Sequence, residues 1–125
     1  MKFNKDKDKT LYLYLRISTR KQDKDGVSLE VQEERGLKVS KQLGLSPIVI
    51  KEQGSGLKPY IEERPLFTKL MDNVVDGNIK HFWIDEDTRL TRYDIDQQVV
   101  HLEMKQKGVN LYVGMEGKPK KWDFT

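Results

Sequence analysis

The sequence contains no cysteine, which excludes disulfides and thiolate metal sites. Its two histidines, His81 and His101, lack the spacing of paired ligands, so neither a zinc nor an iron centre is expected. No apolar run approaches the length needed to cross a bilayer, and no signal-peptide pattern precedes the first apolar segment. Met1 leads instead into a lysine- and aspartate-rich stretch that ends at Lys9. A cytoplasmic protein with no membrane partner is expected. Neither sign of charge dominates: 23 lysines and arginines face 20 acids, a net charge of +3. That balance is compatible with nucleic acid without identifying it as the partner. Charge as such is plentiful, at 34% of residues against 36% hydrophobic. In 125 residues this describes one domain with a modest core and a heavily charged surface.

The organisation of the chain shows in a unit that recurs three times: helical stretch, glycine, apolar run. Gly44 precedes the run 45–50, Gly77 the run 79–84, and Gly108 the run 109–113. Glycine tolerates the left-handed backbone that ends a helix, so each reads as a helix C-cap before a strand. Helices are expected at about 28–43, 66–76 and 95–107. The second carries Leu66, Leu70, Met71 and Val74 on one face, and the third Ile95, Val99 and Leu102. The first is less regular, with Leu29, Leu37 and Leu43 separated by polar residues. Pro47 suits the start of a strand better than its middle, and Phe82 and Trp83 read as core. Strands alternating with helices imply an α/β fold, with a mainly parallel central sheet of about four or more strands and flanking helices.

The first strand, residues 11–17, alternates strictly. Leu11, Leu13, Leu15 and Ile17 share one face, and Tyr12, Tyr14 and Arg16 the other. Continuing that period places Ser18 on the Arg16 face at the strand's carboxyl end, where open α/β sheets bind their ligands.

Four strings follow one another along the chain: Tyr14-Leu-Arg-Ile-Ser-Thr19, Ser28-Leu-Glu-Val-Gln32, Gly54-Ser-Gly56 with Arg64-Pro65, and Arg89-Leu-Thr-Arg92. Each alone is weak. Together, in this order and over residues 11–113, they resemble the resolvase/invertase family of serine recombinases. The residues between Gln22 and Gln32 make the chain more similar to the large serine recombinases of phages and mobile elements than to the small resolvases.

The resemblance implies a catalytic domain whose nucleophile is Ser18. The serine attacks a DNA phosphodiester and becomes joined to the 5′ end. Strands are exchanged within a tetramer assembled from dimers, and the free 3′-hydroxyl then attacks the phosphoserine to reseal the DNA. Neither metal, ATP nor any other cofactor is implied. Phosphoryl transfer depends on neutralising the non-bridging oxygens and holding the groups in line. Guanidinium groups suit this work, being permanently charged and able to bind phosphate bidentately. The matching strings supply Arg16, Arg64, Arg89 and Arg92. Tyr14, Gln22, Gln32 and Glu52 fall at supporting positions, while Arg20 and Arg35 read as ordinary surface arginines.

One position departs from the family pattern. Many members carry an acid directly before Arg-Leu-x-Arg, where this chain has Thr88, with Asp87 one residue earlier. Asp87 either takes over the acid's role or, like Thr88, serves as a helix N-cap. If the role is lost, the alternative is a catalytically impaired recombinase-like module that only dimerises or regulates. The resemblance further leads us to expect a charged, flexible tail over residues 1–10. A catalytic domain over 11–125 would stop short of the long dimerisation helix and DNA-binding domains of such proteins.

Overall fold

A computed structural model describes residues 6–17, 27–53, 64–86 and 94–119, excepting the side chains of 94–96. The elements, in chain order, are β1 (Thr10–Ile17), α1 (Leu29–Leu43), β2 (Ser46–Gln53), α2 (Pro65–Val75), β3 (His81–Ile84), α3 (Asp94–Gln106) and β4 (Asn110–Val113). A 3-10 turn at Lys7–Lys9 leads into β1. The four strands form one sheet in the order β2-β1-β3-β4, and every neighbouring pair is parallel. The expected α/β architecture is therefore present, with helices and strands alternating in sequence.

Both faces of the sheet are covered, which is what a parallel sheet requires. Leu11, Leu13 and Leu15 of β1 join Trp83 and Tyr112 on one face, against Val39 of α1. Tyr12 and Tyr14 join Phe82, Ile84 and Leu111 on the other, under Phe67, Leu70 and Val74 of α2 and Val100 and Met104 of α3. The strict alternation of β1 thus separates two buried layers. Pro47 is the second residue of β2, an edge strand, where a missing backbone N–H is tolerated.

The three helix-ending glycines all adopt positive φ, at 70°, 78° and 68° for Gly44, Gly77 and Gly108. Helix α1 begins at Ser28, whose hydroxyl accepts a hydrogen bond from the Val31 N–H at 3.3 Å, satisfying one of the first-turn donors. Its buried face is Gln32, Gly36, Val39 and Ser40 rather than its leucines; Leu37 is exposed. Gly36 explains why. A Cβ there would lie 3.0 Å from the Trp83 ring and 3.1 Å from Leu13, so the helix backbone sits directly on the sheet.

Helix α3 corrects the expected face. Val100 and Met104 are buried, whereas Val99 and Leu102 are each 46% exposed. The helix has two apolar stripes, and the pair spaced by four residues at 100 and 104 is the one turned to the sheet. Ile95 lies among the undescribed side chains. Among the described residues no helix is long and apolar enough to cross a membrane.

Candidate active site

The strand order places a topological switch between β1 and β3: the chain leaves β1 for β2 on one side and later returns to β3 on the other. Ligands in open α/β sheets bind outside the carboxyl ends at such a switch. At this end the domain buries Arg16, Glu52, Arg64 and Asp85. Burying ionised groups is costly unless each is paired or hydrogen-bonded, so the arrangement around them is informative.

Gln32 fixes the end of β1. Pairing of β1 with β3 reaches only Leu13↔Trp83. Beyond that point Gln32 binds both backbone groups of Arg16. Its Oε1 accepts from the Arg16 N–H at 3.2 Å, and its Nε2 donates to the Arg16 carbonyl at 3.1 Å and to the Val27 carbonyl at 2.7 Å. A side-chain amide on α1 thereby replaces the next residue of a neighbouring strand.

On the other face, Glu52 organises Tyr14 and the start of α2. The Tyr14 hydroxyl donates to Glu52 Oε1 at 2.7 Å. The same carboxylate accepts from the backbone N–H groups of Leu66, at 2.7 Å to Oε2, and Phe67, at 3.1 Å to Oε1. Helix α2 has proline at its first position and no capping bond from the side chain of its N-cap, Arg64. Glu52 supplies the cap from a different element, and its charge suits the positive end of the helix.

Arg64 donates from Nη1 to the Tyr14 hydroxyl at 3.4 Å and stacks over the Phe67 ring, 4.5 Å from its centroid. Burial and the neighbouring Glu52 carboxylate push Tyr14 far above the usual phenol range, while the Arg64 and Arg16 guanidiniums act in the opposite direction. Tyr14 is therefore a neutral donor with the Arg64 guanidinium at its hydroxyl and a weaker influence from Arg16. Arg16, Arg64, Tyr14, Glu52 and Gln32 are thus brought to one end of the sheet, five of the residues that the sequence singled out.

Ser18, Gln22, Asp87, Thr88, Arg89 and Arg92 lie outside the described residues, as does Arg20. Ser18 is two residues beyond Arg16 in the chain, and Arg89 is four beyond Asp85. Arg35, which reads from sequence as an ordinary surface arginine, is 43% exposed and is also ion-paired. Its Nη1 lies 3.1 and 3.2 Å from the two carboxylate oxygens of Asp85. The signal for it was available, since Arg35 is three residues after Gln32 and so shares its helix face. Among the described residues no cluster of three or more histidine, aspartate or glutamate side chains could hold a metal ion. Chemically, the described groups offer two buried guanidiniums from separate segments and a neutral phenol, a combination suited to an anionic ligand such as a phosphate.

Comparison with known proteins gives a consistent picture. The family model described as "Resolvase, N terminal domain" matches residues 11–123. The fold is similar to the N-terminal catalytic domain of TP901-1 integrase, with a TM-score of 0.69 and 20% identity over 88% of this chain and 79% of that one. It is also similar to the C-terminal catalytic domain of ISC1926 TnpA, described as an IS607-like serine recombinase. There the TM-score is 0.66 at 24% identity, covering 83% of this chain and 68% of that one. A resolvase-family site-specific recombinase from Streptococcus pneumoniae superposes with a TM-score of 0.66 at 23% identity, over 91% and 77% of the two chains. No curated protein matches the chain.

Proposed function

Because this chain belongs to the resolvase family as an N-terminal catalytic domain, we propose that it cuts and rejoins DNA strands with Ser18 as the nucleophile. The observation that carries this reading is the buried pair of guanidiniums, Arg16 and Arg64, gathered around Tyr14 at the end of the strand that leads to Ser18. In the reaction the Ser18 Oγ gives up its proton and forms a bond to phosphorus, the bond from phosphorus to the 3′-oxygen breaks, and that oxygen takes up a proton, so that none is gained or lost overall. One phosphodiester is exchanged for another, so the step needs no external energy source. Resealing is the reverse step, with a 3′-hydroxyl from the exchanged strand as the nucleophile.

Within this reading Arg16 and Arg64, joined by Arg89 and Arg92, neutralise charge on the phosphate as the transition state forms, the most effective use of preorganised cations. Tyr14, Glu52 and Gln32 position them: Glu52 sets the start of α2 beside Arg64, and Gln32 sets the backbone of Arg16. The partners are DNA and further copies of the protein, since strand exchange joins two cut duplexes.

The reading is tested by incubating the purified protein with a supercoiled plasmid library carrying random duplex inserts and quenching in detergent. Covalent protein–DNA adduct should form with the native protein, persist in excess EDTA and vanish in Ser18→Ala. An adduct in Ser18→Ala would defeat the assignment of the nucleophile, and a requirement for added magnesium would defeat the guanidinium mechanism. A native protein that binds DNA without ever forming adduct would favour the impaired, regulatory alternative.

A further inference from the structure

Helix α1 reaches all three strands nearest to it from a single stretch of its first two turns. Gln32 holds the Arg16 backbone at the end of β1, Glu33 lies 3.4 Å from Lys51 of β2, and Arg35 binds Asp85 immediately after β3. These contacts are not equivalent. The Glu33–Lys51 pair is half-exposed and of the kind that contributes little. The Asp85 side chain is only 4% exposed, whereas that of Arg35 is 43% exposed. A carboxylate removed from water needs its partner far more than an open guanidinium does. Among the described residues Arg35 is the one cation paired with Asp85.

Gly36 brings the helix close enough for this grip, because a Cβ there would lie only 3.0–3.1 Å from Trp83 and Leu13. The two strand ends that α1 holds by buried groups are the two that lead to the reactive segments. Ser18 follows Arg16 by two residues, and Arg89 and Arg92 follow Asp85 by four and seven.

We propose that Arg35 is a positioning residue: through Asp85 it fixes the end of β3, from which the chain continues to Arg89 and Arg92, against the helix that fixes the end of β1, from which it continues to Ser18. This rests on the catalytic reading above and deepens it. In this reading Arg35 acts through Asp85; it fixes where β3 ends against the same helix face that fixes where β1 ends. Misplacing a catalytic group by about 1 Å can cost on the order of a hundredfold in rate. The effect belongs in the chemical step and not in DNA affinity.

The experiment measures the rate of covalent adduct formation at saturating DNA, together with DNA affinity, on the same plasmid library. Arg35→Gln and Asp85→Asn should each slow adduct formation about ten- to a hundredfold, with affinity changed less than about twofold. The double variant should be no slower than the worse single one, because both remove the same contact. Arg35→Lys should recover most of the rate, since one nitrogen makes both bonds to Asp85. All rates are compared below each variant's thermal unfolding midpoint. Unchanged rates in the folded variants, additive losses in the double variant, or losses that follow only the amount of folded protein would each overturn the inference. If the native protein forms no adduct, the catalytic reading fails first and takes this inference with it. If native adduct forms and the variants match it, only the role of Arg35 fails.

Discussion

The two ends of the sheet carry polar side chains of different kinds. At the amino end, His81 Nδ1 lies 3.2 Å from the Tyr112 hydroxyl and 3.4 Å from Asn110 Nδ2, and its Nε2 lies 3.2 Å from the Asp8 carbonyl. Lys7 donates to the Gly77 carbonyl at 3.0 Å. Most of these groups are half-exposed or exposed, and the buried one, Tyr112, is uncharged. At the carboxyl end the chain buries Arg16, Glu52, Arg64 and Asp85 and bonds three of them to groups of α1 and α2. A fold seeking stability alone gains little from buried ions, because hydrophobic residues of similar volume usually do as well or better. The contrast supports the proposed site, in which charge is kept inside where a phosphate would be met.

The largest effect should come from Glu52. Replacing it with alanine leaves the Tyr14 hydroxyl and the Leu66 and Phe67 N–H groups without their acceptor, and should destabilise the protein by about 3–5 kcal/mol in urea unfolding. A loss below about 1 kcal/mol would mean that the carboxyl end is no more demanding than the amino end. Tyr14→Phe removes a single bond to the same carboxylate and should cost about 1.5–3 kcal/mol. Gly36→Ala tests the packing that brings α1 onto the sheet. The added methyl would lie 3.0 Å from the Trp83 ring and 3.1 Å from Leu13, so a neighbour must give way, at an expected cost of about 1–3 kcal/mol; a stabilised variant would show that Trp83 and Leu13 yield to the methyl.

The smallest effect belongs to the amino end. Burial lowers the pKa of His81 from 6.5, opposed in part by the Asp8 carbonyl. The unfolded chain therefore takes up this proton first as pH falls. Stability is complete above the unfolded value, declines from about pH 7 downward, and levels off once the folded histidine is also protonated. The melting temperature of H81Q should fall less than that of the native protein between about pH 7 and pH 5. Equal slopes would show that His81 carries none of the dependence.

Much of this was legible from the residues. The alternation of β1, the three glycine caps and the repeated helix–glycine–strand unit foretell the sheet, because backbone conformation and side-chain period are local properties. Gln32 and Arg64 stand in the ordered strings and Glu52 at a supporting position of the resemblance, but none of their bonding shows in the sequence. That Glu52 caps a helix begun by Pro65 depends on which strand ends beside which helix, a fact of topology. Two apolar faces compete on α3, and only packing decides that the stripe of Val99 and Leu102 stays exposed. Helix spacing puts Arg35 on the face of Gln32, but its partner Asp85 is fifty residues away, so the ion pair itself lies beyond the reach of any local pattern.

The most direct measurement is the chemical identity of the residue joined to DNA. Adduct formed by the native protein is digested with nuclease and protease, and the modified peptide is sequenced by mass spectrometry. The account predicts a nucleotide attached through its 5′-phosphate to Ser18 and to no other residue. Attachment to Tyr14, to Ser28 or through a 3′-phosphate would contradict it.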